Sequence, residues 1–69
     1  MTFGKVVDLY LKERGMSQAE LARHAGIGKQ TLSDLITGAN NNPRLDTAFA
    51  IANALGVSLQ EMVDRMESE

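Results

Sequence analysis

Five polar residues, Lys29, Gln30, Ser33, Asp34 and Thr37, stand at i, i+1, i+4, i+5 and i+8, a spacing that gathers them on one face of a helix. Leu32, Leu35 and Ile36 occupy the opposite face. The polar set has the chemistry of base-edge recognition. Lysine donates to guanine, glutamine can pair in two places with adenine, aspartate accepts from cytosine, and serine adapts to either role. A polar face is also what any amphipathic helix turns to water, so the weight of this reading depends on the elements that hold the face.

Those elements lie in Ser17 to Gly38, SQAELARHAGIGKQTLSDLITG. Ser17 and Glu20 have the spacing of a capping box, which sets a helix start at Gln18, and Met16 with Leu21 can close a hydrophobic staple around it. Leu21, Ala22 and Ala25 continue the apolar stripe, and Gly26 supplies the stop. Ile27, a single apolar residue in the turn, is expected to point inward. The second helix follows Gly28 and stops at Gly38. Two short helices with a glycine between them match a helix-turn-helix, whose second helix is sized for the DNA major groove.

The rest of the chain supplies support. Thr2 can cap a first helix whose Phe3, Val6, Val7, Tyr10 and Leu11 follow the i, i+3, i+4, i+7, i+8 pattern up to Gly15. Thr37 to Arg44, with three asparagines and a proline, reads as a loop. Leu45, Ala48, Phe49, Ala52 and Leu55, with Ile51 beside them, mark a fourth helix closed by Gly56, and its alternate alanines imply a close helix approach. Ser58 and Glu61 form a second capping box, opening a fifth helix with the stripe Leu59, Met62, Val63 and Met66. The expected fold is all-α: a compact bundle of five helices near residues 3–14, 18–25, 29–37, 45–55 and 59–66, forming one domain over 1–69.

Composition narrows the function. With no cysteine there is no disulfide framework or thiolate metal site, and one histidine, His24, leaves little for zinc or nucleophilic chemistry. His24 and Arg23 lie off the apolar stripe, His24 as a surface residue. Neither cofactor nor metal is expected, and dispersed carboxylates argue against an enzyme. No apolar run suits a membrane span or secretory signal, so a cytoplasmic protein is the expectation. The formal net charge is −2, unlike that of a generic nucleic-acid binder. The excess lies in the tail: Met1 to Val57 carries six Lys or Arg against five Asp or Glu, and Ser58 to Glu69 one against four. A DNA-binding face would therefore be made basic by placement rather than abundance.

The motifs SQAELA, AGIG, TLSDL followed by Gly38, PRLDT and ALGVSLQEM, at their present spacing, resemble the lambda-repressor-like, XRE and Cro-type family of DNA-binding domains from about Phe3 to Val63. The resemblance implies five helices, a backbone phosphate bound at Gln18, bases or nearby phosphates faced by Lys29, Gln30, Ser33 and Asp34, and a loop from Ala39 to Arg44 along the sugar-phosphate backbone. Gly28, Thr37, Asn41, Asn42 and Arg44 are accordingly phosphate or minor-groove candidates. The chain departs from the family at two caps. Gly28 replaces a Ser, Thr or Asn before the third helix, and Arg44 replaces a Ser or Thr before the fourth, at a cost of roughly 1 kcal/mol for the latter. The implied function is an operator-occupying repressor on double-stranded DNA with two half-sites. Dimerisation on DNA is expected, with Met62 and Met66 as candidate dimer contacts. The rival readings are an antitoxin or anti-regulator whose helical domain binds a partner protein, and one domain of a longer regulator.

Overall fold

A computed structural model describes residues 1–40 and 42–68. Their elements are α1 (Phe3–Arg14), α2 (Gln18–Ala25), α3 (Lys29–Thr37), α4 (Leu45–Leu55) and α5 (Leu59–Glu67), with no strand among the described residues. The helix starts follow their caps. Thr2 Oγ1 accepts from the Lys5 amide at 3.2 Å. The Ser17–Glu20 box is reciprocal, with both hydrogen bonds at 3.1 Å. Gly26 at φ 71° occupies the left-handed region that a side chain with a Cβ avoids, letting the Ile27 amide return to the Ala22 carbonyl at 3.0 Å. Ile27 then packs against the core as the sequence requires.

Helices α2 and α4 pack together, α1 crosses α3, and α5 closes the bundle against α1 and α4. The centre is apolar: Val6, Val7, Leu21, Leu32, Leu35, Ile51 and Met62 are fully buried, each stabilising the fold by roughly 1.5–3 kcal/mol relative to exposure. The α1–α3 crossing needs a glycine. A Cβ on Gly4 would stand 1.7 Å from the Leu35 carbonyl oxygen, so α1 lies directly on the backbone of α3.

Three expectations require correction. Leu45 and Phe49 are 68% and 51% exposed, although they help to mark α4. Its buried set is Ala48, Ile51, Ala52 and Leu55, and Phe49, one residue beyond Ala48, is turned about 100° away from it. The second capping box is half formed. Ser58 Oγ accepts from the Glu61 amide at 3.0 Å, but the Glu61 carboxylate instead accepts from the Tyr10 hydroxyl at 2.7 Å. Met62, a candidate dimer contact, is 0% exposed and has no surface to offer a second copy. Met66 is half-buried against the same core.

Candidate nucleic-acid interface

Helix α3 is anchored through Leu32 and Leu35, with Ile36 half-buried beside them. Its other face carries Lys29, Gln30 and Thr37 exposed and Ser33 and Asp34 half-buried, so folding brings the five polar residues onto one outward surface. Lys29 makes no ion pair among the described residues. Gln30 and Asp34 are coupled: Gln30 Nε2 donates to Asp34 Oδ1 at 2.7 Å. A carboxylate only accepts, so the amide nitrogen must face Asp34. Gln30 is exposed and keeps its Oε1 and second N–H, an acceptor and a donor of the kinds that pair with adenine N6 and N7. Asp34 thus orients a neighbour as well as presenting its own carboxylate. The Thr37 hydroxyl turns back to the Asp34 carbonyl at 3.5 Å.

The flanks are built from helix ends and the loop. Gly28 caps α3 at φ −68° without a side-chain hydrogen bond, so the first amides of α3 keep their hydrogen-bonding capacity and the positive end of the helix dipole is uncovered. Gln18, half-buried, begins α2. Asn42 is exposed, its amide donating to Asn40 Oδ1 at 3.1 Å. Asn41 lies outside the described residues. Arg44 precedes α4 without capping it. Its Nε lies 3.5 Å from Asp46 Oδ1, with side chains 84% and 72% exposed, a solvated pair that holds the guanidinium weakly. His24 and Arg23 are exposed.

Sequence reading missed the support on the far side of the bundle. Tyr10 is buried, donates to Glu61, and has the guanidinium groups of Arg14 and Arg65 over its ring at 4.9 and 4.6 Å. Burial, then the hydrogen bond to Glu61, raises the Tyr10 pKa above its ordinary value. Arg65 also grips Glu13 through two hydrogen bonds of 3.1 and 2.9 Å. This cluster fastens α5 to α1, and Glu13 and Arg65 are 52 residues apart, beyond any local spacing signal.

A family model described as helix-turn-helix matches residues 8–62. The chain belongs to this family, of lambda-repressor-like type. It is 36% identical over 63 residues to the immunity repressor protein of Bacillus phage phi105, a match covering 91% of this chain and 43% of that protein. The crystal structure of SinR, a master regulator for biofilm formation, in complex with DNA superposes with a TM-score of 0.84 at 32% identity, covering 90% of this chain and 98% of that one. SinR in complex with SinI gives a TM-score of 0.85 at 30% identity, over 96% of this chain and 64% of that chain. SinR is a helix-turn-helix transcriptional regulator of Bacillus subtilis. The chain spans about 40 to 55% of the length of the curated relatives phi105 repressor, SlrR and SinR.

Proposed function

We propose that this helix-turn-helix domain is the DNA-binding part of a transcriptional regulator, acting in the cytoplasm as a repressor by occupying an operator. The observation that carries this reading is the uncovered polar face of α3, held rigid by the burial of Leu32 and Leu35 behind it. In the major groove, Lys29, Gln30, Ser33 and Asp34 face base edges. Gln18, the amides after Gly28, Thr37, Asn42 and Arg44 meet phosphates or the adjoining minor groove, and Asn41 shares that role. Phosphate contacts set the register and base contacts the sequence. The likeness to SinR, whose structure is of a DNA complex, supports this reading.

Selection of bound sequences from random duplex DNA, followed by electrophoretic retardation, tests it. A recovered sequence bound most tightly at low salt is expected, because counterion release is then most favourable. No retardation at low salt overturns the reading. In that event the second reading, a domain that mainly engages a partner protein, gains ground. It is supported by the near-neutral body of the chain and by the similarity to SinR as found with SinI.

A further inference from the structure

Asp34 is the one acidic residue of α3, and its setting is unfavourable to a carboxylate. It stands in the last turn, at the negative end of the helix dipole, and that turn carries no basic residue. Among the described residues its side chain has a single hydrogen-bond partner, the neutral Gln30, and no ion pair. We propose that this carboxylate is a discriminator: at one position of the half-site it admits a base with an exocyclic amino group, cytosine or adenine, and repels the keto bases guanine and thymine. The inference rests on the DNA-binding reading above.

In the major groove cytosine N4 and adenine N6 donate, whereas guanine O6 and thymine O4 accept. A carboxylate has acceptors alone. Asp34 Oδ1 takes the Gln30 amide at 2.7 Å, and Oδ2 keeps its lone pairs for a base. An amino group gives it a charge-assisted hydrogen bond. A keto oxygen sets acceptor against acceptor and leaves a half-buried charge unpaired. Specificity then comes from repulsion as much as attraction, at the cost of weaker attachment to every sequence, because the same charge repels phosphates. The hydrogen bond between the two side chains places the amino base on the base pair read by Gln30 or on the adjoining one. A matching pair on α5 marks what is particular to α3. Gln60 Nε2 donates to Asp64 Oδ1 at 3.0 Å with the same spacing, but α5 packs against α1 and α4 and has Arg65 in its last turn. There the pair supports its own helix.

The test titrates the chain by fluorescence anisotropy against a duplex recovered by selection, with each of the four bases placed in turn at every position, and against an unrelated duplex. At one position, shared with or beside the one that Gln30→Ala flattens, the unaltered chain should accept cytosine or adenine. Guanine or thymine there should weaken binding about tenfold or more, the scale of one mismatched base pair. Asp34→Asn keeps an oxygen for Gln30, loses the charge and adds a donor. It should bind the keto duplexes and the unrelated duplex several-fold more tightly than the unaltered chain does, with no gain on the amino duplexes. Asp64→Asn, the same loss of charge on α5, should leave the ratio of amino to keto binding as it was. Circular dichroism should show both variants folded, since neither side chain is buried. A scan with no amino preference at any position, an unchanged ratio in Asp34→Asn, an equal gain on all duplexes, or the same change in Asp64→Asn overturns the proposal while leaving DNA binding intact. Failure of the unaltered chain to bind any duplex overturns the DNA-binding reading and this inference with it.

Discussion

At the scale of single residues, the proposed function makes base reading and backbone attachment separable. Asp34 engages the Gln30 amide nitrogen at 2.7 Å, and on the proposed reading this leaves Gln30 an edge that pairs with adenine. Replacing Gln30 with Ala should cost about 1–3 kcal/mol against the preferred base and flatten preference at one position. Asp34→Ala should release the amide to rotate, weakening preference at that same position. Arg44, tethered among the described residues by an exposed ion pair, should behave differently. Arg44→Ala is expected to weaken binding to all sequences and shallow the salt dependence by about one unit of slope. Titrations of each variant against a panel of single-base duplexes check this division, and parallel losses from all three substitutions contradict it.

At the scale of elements, the position and the function of α3 can be disturbed independently. Gly4→Ala would push a methyl group into the Leu35 carbonyl. Overpacking of this kind costs about 1–3 kcal/mol, which in a domain this small lowers the thermal midpoint by roughly 5 °C or more. A calorimetric scan with an unchanged midpoint would contradict the close α1–α3 approach. The cap of α3 offers the converse. At Gly28 a Cβ meets only Thr31 Oγ1, at 3.6 Å. Gly28→Ser should therefore fit, capping the helix and gaining a few tenths of a kcal/mol. The new hydroxyl also occupies an amide proposed for phosphate, so DNA binding should weaken as stability rises. Improvement in both would remove these amides from the interface.

At the scale of the whole molecule, acid should loosen the bundle at the start of α2 and between α1 and α5. The Ser17 backbone amide, chiefly, holds the Glu20 carboxyl below its ordinary value of 4.5, and Arg65 does the same for Glu13. A folded-state pKa below the unfolded value stabilises the fold above about pH 4.5. That contribution is lost as pH falls through the lower folded value. Thermal midpoints followed from pH 6 to pH 3 should fall below about pH 4.5, and less steeply in Glu20→Gln, which cannot titrate. Equal slopes for both proteins would show that the α2 box contributes nothing to acid sensitivity.

Local signals were sufficient for most of the fold. Capping residues, glycine stops and apolar periodicity act within one or two turns, so the five helices, the helix-turn-helix, inward Ile27 and the polar face of α3 were all legible in the sequence. The uncapped starts at Gly28 and Arg44 were equally plain, since a cap depends on residue type at one position. Other features depend on elements distant in the chain. Glu61 is drawn from its own helix start by Tyr10, 51 residues away. Gly4 matters because α3 crosses above it, and Met62 belongs to the core because α5 packs against α1 and α4. Leu45 and Phe49 obey helical spacing, yet packing covers only the adjoining face of α4. Sequence by itself determined the helices and the chemistry they carry, because their signals are short-range; only tertiary structure decided which apolar side chains were covered and which remained free.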